Sequence, residues 1–517
     1  MRNITILWAD DEIDMLKPHI LFLEEKGYTV IPVHSGDDAI DVVNNQLIDL
    51  IFLDENMPGR SGLETLTIIK SINPEIPVVM ITKSEEEDIM DQAIGSKIAD
   101  YLIKPVNPNQ ILLSIKKNID TKRLVTLKTT SDYQSEFARI GMQINEARSF
   151  EDWVEIYKKL VFWELELDRS SDEGMKEVLL LQKNDANNGF SRYIKSVYAG
   201  WFANPEDRPE LSPSLFKDRV FPLVDKGEKV FFILIDNLRY DQWKMMYPLI
   251  SEFYNIDQED LYCSILPTAT QYARNAIFAG LMPLEIDKLH PDLWVADEED
   301  ERKNMHEEEL LRKQLQRAGK NYKVAYDKII NQKSGKKLTE NFKNLLSNDL
   351  VMVVYNFVDM LSHARTDMEM IRELANDEAA YRSVTLSWFN HSQLLELLQQ
   401  LAAQDVKVII TTDHGTIRVA NAVKVVGDRK TSSNLRYKLG RNLNFNPKEV
   451  FEIRNPASVH LPSSNVSSTY IFAANNDYLV YPNNYNYYVN FYRNTFQHGG
   501  ISMEEMLIPF IVLSPKK

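Results

Sequence analysis

From Ile4 to about residue 120, short apolar runs alternate with stretches whose apolar residues recur at helical spacing. Ile4–Trp8, Leu50–Leu53, Pro77–Thr82 and Tyr101–Ile103 read as buried strands, and Leu16, Ile20 and Leu23 mark a helix between them. That alternation predicts a parallel sheet covered on both faces. Between 121 and 205 the strand signal stops. Phe137–Ala147, Trp153–Leu167 and Lys176–Leu181 have a helical period, with Trp153, Tyr157, Leu160, Val161 and Trp163 supplying apolar surface. A small helical bundle is expected there, acting as a spacer or as a transmitter of signal. From 206 to 517 strong β runs return among helices, at Val230–Ile235, Leu350–Val354, Val406–Thr412 and Ile508–Leu513. Residues 285–340, with the charged run Asp297–Arg302, read as an insertion. So do residues 465–495, rich in Asn and Tyr, as either a disordered stretch or an aromatic-lined lid. The pattern gives an α/β protein divided at 1–120, 121–205 and 206–517.

Length and charge narrow the classes. At roughly 150 residues per domain, 517 residues allow three or four domains. Lys and Arg number 59 against 75 Asp and Glu, a net charge of −16, which disfavours a non-specific nucleic-acid binder and a direct DNA-binding domain. The single cysteine, Cys263, excludes an internal disulfide and a thiolate-rich metal cluster. No apolar run reaches the length of a membrane span. The start, Met1-Arg2-Asn3-Ile4-Thr5-Ile6-Leu7-Trp8-Ala9-Asp10, turns acidic too early for a secretory signal, so a cytoplasmic location is expected.

Candidate chemistry lies at the strand ends, where open parallel sheets bind ligands. The first strand ends in Asp10-Asp11 and the third in Asp54. Three carboxylates brought together repel one another unless a cation intervenes, and a hard, oxygen-liganded ion such as Mg²⁺ suits them, with the backbone carbonyl of Asn56 as a further ligand. Thr82 and Lys104 end the next two strands, a hydroxyl and a cation able to meet a phosphate on Asp54. Tyr101 is an aromatic placed to swing with the hydroxyl, and Lys104-Pro105 is a candidate cis bond. In this order the residues resemble a two-component receiver domain over 1–120. The resemblance implies a flavodoxin-like fold, phosphorylation of Asp54 by a sensor histidine kinase, and Thr82, Tyr101 and Lys104 as switch residues.

A second constellation lies beyond residue 206. Asp236 ends a strand, Asp359-Met-Leu-Ser-His363 follows another with i,i+4 spacing, Asp413-His414-Gly415 follows a third, and His498-Gly499-Gly500 comes late. Oxygen and imidazole donors without thiolates suit a catalytic Zn²⁺ or Mn²⁺. Between them, Pro267-Thr268-Ala269-Thr270 offers two hydroxyls, either of which a metal would activate as a nucleophile. His19, His34, His290, His306, His391 and His460 read as ordinary polar residues. The order resembles the alkaline phosphatase superfamily, and within it the PglZ branch. That resemblance implies one metal on Asp359, His363 and His498, a second on Asp236, Asp413 and His414, and Thr270 as nucleophile. The stretch His498-Gly-Gly-x-Ser502-x-x-Glu505-x-x-x-Pro509 is the most PglZ-like piece; Glu505 is either a partner orienting His498 or a solvated helix glutamate. The sulfatase pattern Cys-x-Pro-x-Arg is missing. Phosphodiesterase relatives carry Asn where Ala273 stands, so Arg274 and Asn275 become candidate phosphate contacts. No carboxylate set for a third metal is visible, which favours diesters.

The three parts together resemble the PorX-type family of response regulators, linked to type IX protein secretion and gliding in Bacteroidetes-type bacteria. The resemblance implies control by a membrane sensor kinase and contact with a sigma factor or secretion component. With both sites on one chain, a phosphorylation-regulated, zinc-dependent phosphodiesterase is expected; a metal pair suits a phosphodiester such as an oligonucleotide or cyclic nucleotide, and the receiver surface is expected to form a homodimer on phosphorylation. The alternative is a non-enzymatic scaffold whose phosphorylation governs partner binding.

Overall fold

The computed structural model describes residues 4–74, 76–83, 98–170, 172–295, 305–367, 372–373, 375, 377–428, 431–463, 465 and 467–516; for 120–127 and 363–367 it describes the backbone alone. The chain forms two compact units, Met1–Gln134 with Arg169–Asp172, and Ser135–Asp168 with Glu173–Lys517.

In the first unit five parallel strands, β1 (Thr5–Ala9), β2 (Thr29–Val33), β3 (Leu50–Asp54), β4 (Val78–Thr82) and β5 (Asp100–Ile103), lie in the order β2-β1-β3-β4-β5. Alternate residues feed two cores: Leu7, Ala9, Ile51 and Leu53 pack on one face, Ile6, Trp8, Leu50 and Phe52 on the other. Two covered faces explain why β3 and β4 are apolar without alternation. The sequence pattern missed β2, because Pro32 interrupts it; an edge strand tolerates that proline. The Lys104–Pro105 bond is cis, and so is Leu266–Pro267.

The second unit is built on a six-stranded sheet. Its order is β7 (Tyr254–Cys263), the C-terminal strand Leu507–Pro515, β10 (Lys407–Thr411), β6 (Val230–Ile235), β9 (Leu350–Tyr355) and β8 (Val324–Ile329). β10, β6, β9 and β8 are parallel, and Leu507–Pro515 runs antiparallel to both of its neighbours. β6 and β9 are buried along their whole length. The carboxyl ends of β10, β6 and β9 therefore meet side by side, the arrangement that gathers groups from distant sequence positions.

Two expectations need correction. Residues 285–340 are not an insertion: they hold a helix (Glu307–Arg317), the sheet strand β8 and a second helix (Gln332–Leu345). The charged run 297–302 lies outside the described residues. Nor is 465–495 irregular. Thr469–Ala473 and Asp477–Val480 are strands and Tyr485–Tyr492 is a helix. Tyr470, Phe472 and Tyr478 are fully buried and belong to the core, whereas the helix Tyr485–Tyr492 buries none of its residues.

The helices Phe150–Asp168 and Glu173–Val197 pack against each other within the second unit. Gly189 lets them approach: a Cβ there would sit 2.5 Å from the Trp153 ring. Gly189→Ala gains up to about 1 kcal/mol of helix propensity. It forces the buried indole aside at a cost of about 1–3 kcal/mol. The expected outcome is a lower melting temperature by calorimetry; an unchanged or higher one would show that the indole has room.

Candidate metal centre

β6 delivers Asp236 directly, its backbone N–H still in the ladder with the Tyr355 carbonyl. β10 delivers Asp413 and His414. Asp236, Asp413 and His414 are buried, and one ligand atom from each lies within 4.8 Å of the others. The Asp413-His414 turn is fixed from several sides: Ser264 Oγ donates to the Asp413 carbonyl at 2.7 Å, Tyr262 Oη to that of Thr412 at 2.6 Å, and Thr412 Oγ1 to that of His414 at 2.9 Å. Gly415 is required there, since a Cβ would meet the Glu504 carbonyl at 2.0 Å.

The histidines are oriented by carbonyls. His414 Nδ1 is 3.1 Å from the Gly415 carbonyl and His498 Nδ1 3.1 Å from that of Thr268. A carbonyl only accepts, so each Nδ1 donates, and in the neutral ring Nε2 is left with its lone pair facing the centre. The two rings stack 4.2 Å apart. His498 Nε2 lies 3.7 Å from Asp359 Oδ1. The side chain of His363, on the helix Phe357–Asp367, lies outside the described residues.

The structure separates the two threonines. Thr268 is a structural clamp: its hydroxyl donates to the Gly500 carbonyl at 3.0 Å and accepts from the Gly499 N–H at 3.0 Å. Thr270 starts the helix Thr270–Ala279, and its hydroxyl is 3.1 Å from His414 Nε2. It therefore faces the carboxylate cluster from the positive end of a helix dipole.

Burial drives the Asp236 carboxyl well above the usual range, Arg274 offsetting this in part while Asp413 and Asp359 add repulsion. Asp413 goes the other way, burial being outweighed by Arg274 and His414. Among the described residues, the buried Asp236 Oδ1 has no hydrogen-bond partner. A buried acceptor left so is what a cation satisfies, and the oxygen-imidazole donor set fits a zinc or manganese ion.

Asn237 was not foreseen. It adopts φ 64°, a left-handed conformation Asn tolerates, and the Asp-Asn pair at a strand end was the available signal. Its amide donates to Asp359 Oδ1 at 3.4 Å and Ser362 Oγ at 3.2 Å, and its backbone N–H to Asp413 Oδ1 at 3.5 Å, so it ties the two halves of the centre together. Glu505 does not orient His498. It is fully buried, accepts from Gly500 N–H at 2.9 Å and Ser502 Oγ at 2.7 Å, and pairs with Arg436 at 2.6 Å. It shapes the loop that carries the ring. Arg274 and Asn275 are also buried. Arg274 pairs with Asp236, Asp413 and Glu307, which takes it away from the phosphate contact expected of it.

In the first unit, ligand atoms of Asp10, Asp11 and Asp54 converge within 4.8 Å at the ends of β1 and β3. Lys104 reaches Asp10 at 2.8 Å and Asp54 at 3.1 Å. Burial pushes Asp54 up to about 6, against the pull of Lys104 and with Asp10 adding repulsion. Thr82 is buried beside them, Tyr101 is half-buried and Asn56 is exposed. The donor set is all oxygen, as Mg²⁺ requires.

Residues 215–513, more than half of the chain, match the family described as the BREX system PglZ alkaline phosphatase-like domain. The chain belongs to the PglZ family. Ahead of the PglZ domain, residues 6–116 match the response regulator receiver domain and 123–202 the PorX response regulator linker domain. The PglZ domain is thus the output of a PorX-like response regulator, and its receiver implies a sensor kinase as partner. The transcriptional regulatory protein ZraR of Escherichia coli K12 is 31% identical over 139 residues, covering 27% of this chain and 32% of that protein. The alginate biosynthesis transcriptional regulatory protein AlgB of Pseudomonas syringae is 34% identical over 119 residues, covering 23% and 27%. The chain thus spans about a third or less of these relatives. A receiver domain structure from Clostridium thermocellum is 30% identical and covers 23% of this chain and 98% of its own, with a TM-score of 0.22. The CheY-like receiver structure from Methanospirillum hungatei is 25% identical and covers 23% and 96%, with a TM-score of 0.23. No described helix is long and apolar enough to cross a membrane.

The two threonines of the PglZ domain separate by experiment. Thr268→Val strands two buried backbone partners, so stability should fall by about 1–3 kcal/mol. Thr270→Val removes one hydrogen bond, to the His414 side chain and not to the backbone, and should lower the melting temperature less than Thr268→Val. Equal losses in the two variants would contradict this division of roles.

Proposed function

We propose that this response regulator is a phosphorylation-regulated, metal-dependent phosphodiesterase. The observation that carries the reading is the Thr270 hydroxyl, held 3.1 Å from His414 Nε2 at a helix start beside Asp236 and Asp413. Asp236, Asp413 and His414 hold one ion in this reading, and Asp359 and His498 with His363 hold the other, zinc or manganese. Bound there, divalent ions lower the pKa of a coordinated hydroxyl and offset charge on phosphate oxygens. Thr270 acts as the nucleophile: its oxygen bonds to phosphorus as the bond to the leaving oxygen breaks, and water then frees the threonine. Carbonyl contacts at Nδ1 keep both imidazoles aimed inward, and Asn237 keeps Asp359 and Asp413 in register. The donor set lacks the thiolates of a structural zinc, which supports a catalytic ion.

Asp54 is the phosphoryl acceptor, with Mg²⁺ on Asp10, Asp11, Asp54 and the Asn56 carbonyl. Lys104 and Thr82 meet the added charge, and Tyr101 follows. A sensor histidine kinase supplies the phosphoryl group, and phosphorylation promotes a homodimer. We extend the reading to a nucleotide-type diester substrate, a sigma factor or secretion component as partner, and type IX secretion as the process served.

Zinc-loaded wild type should hydrolyse bis(p-nitrophenyl) phosphate, with turnover reduced about 10²-fold or more in Thr270→Val while zinc uptake by calorimetry is retained. Unchanged turnover removes Thr270 from the chemistry and leaves the scaffold reading. Acetyl phosphate with Mg²⁺ should add one phosphoryl group to wild type and none to Asp54→Asn, read by intact mass. Full labelling of the variant would move the acceptor elsewhere.

A further inference from the structure

Arg274 has no exposed surface, and each edge of its guanidinium meets a carboxylate. Nη2 pairs with Asp236 Oδ2, Nε with Asp413 Oδ2 at 3.0 Å, and Nη1 lies 3.7 Å from Glu307 Oε1. Glu307 is itself buried and is met from outside by Lys328 at 2.6 Å. Charges therefore alternate from the site outward: the two aspartates, Arg274, Glu307, Lys328. On the site side Asp236 Oδ1 keeps no hydrogen-bond partner among the described residues, and His414 Nε2 lies 3.9 Å from it. The guanidinium takes the other oxygen of Asp236 and leaves this one facing the imidazole.

We infer that Arg274 is a resident counter-cation of the Asp236–Asp413–His414 cluster, a positioning residue that presets both carboxylates and holds down their affinity for a divalent ion. The inference rests on the reading of that cluster as a metal site. Two aspartates without water or cation would repel each other; a fixed positive fork between them keeps the empty cluster assembled. The same positive charge opposes an incoming divalent ion through a medium that screens poorly. A planar fork spans two carboxylates where a single ammonium meets one well, so arginine is the residue the geometry calls for.

The test is the rise in melting temperature on adding zinc, measured for wild type, Arg274→Lys and Arg274→Gln. Removing the fork destabilises the metal-free protein and leaves the ion to supply the missing charge. The zinc-induced rise should therefore be largest in Arg274→Gln, smaller in Arg274→Lys and smallest in wild type. Zinc affinity by chelator competition should increase roughly tenfold or more in Arg274→Gln. Rises equal to wild type in the folded variants overturn the proposal; if Arg274→Gln is recovered only unfolded, Arg274→Lys decides. Should wild type take up no zinc, the metal-site reading falls. The counter-cation role is then decided in metal-free protein by the Arg274→Gln and Asp413→Asn double-mutant cycle. Losses smaller in the double variant than the sum of the singles support it, and additive losses overturn it.

Discussion

Asp236 and Asp413 stand at the ends of neighbouring parallel strands, out of reach of water. Burying two like charges side by side is among the costliest things a fold can do, and it persists only where positive charge is close. Much of the surrounding structure follows from that demand. Arg274 sits between the pair, His414 faces it, Thr270 brings the start of a helix to it, and Asn237 adopts a left-handed backbone so that its amide reaches Asp359. Packing alone does not call for charge at these positions; the proposed role in binding a cation does.

The loop that carries His498 answers to a second demand, and it comes from the helical segment ahead of the PglZ domain. Asn187 on the helix Glu173–Val197 accepts from the Met503 N–H at 2.8 Å and donates to Glu504 at 2.9 Å. Lys183 on the same helix pairs with Glu164 at 2.7 Å, and Arg382 pairs with Glu164 and Asp241 at 2.8 and 2.9 Å. Burial would raise Glu164, yet Arg382 and Lys183 hold it down to about 2. These helices are thus joined to the PglZ domain by buried charge and not by an apolar face alone. A helix that slid would leave such charges unpaired, so the seam favours discrete positions over gradual ones. Glu504 precedes Glu505, whose carboxylate accepts from the Gly500 N–H, so the seam connects through that residue to the loop of His498.

Much of this was legible along the chain, for physical reasons. β3, β4, β6 and β9 are buried on both faces, so their sequences are unbroken apolar runs, and a polar residue following such a run marks a strand end. Asp54, Asp236 and the Asp413-His414 pair were found that way. Edge strands escaped: β7 reads Tyr-Asn-Ile-Asp-Gln-Glu-Asp-Leu-Tyr-Cys, and β8 lies in a charged neighbourhood, because an edge carries polar residues where a centre cannot. Family resemblance pointed to Thr270 over Thr268, but the clamp role of Thr268 was closed to sequence, since the two threonines stand two residues apart and only the fold brings Gly499 and Gly500 to one of them. Arg274 was singled out as a phosphate contact, but its pairing with the aspartates escaped for a related reason: these partners lie 38 residues before it and 139 after it along the chain, and its sequence neighbours give no hint of them.

The two candidate centres solve one electrostatic problem with different cations. In the receiver, Lys104 spans Asp10 and Asp54; in the PglZ domain, Arg274 spans Asp236 and Asp413. A lysine is a point charge on a flexible stem, free to trade a carboxylate for a phosphate that appears beside it. A buried guanidinium bound along several edges has no such freedom. The difference matches the tasks. A receiver has to change its local charge pattern and be read, so its cation must move. On the proposed reading of the second centre as hydrolytic, its geometry has to persist from one turnover to the next, which suits a cation held from behind by Glu307 and Lys328.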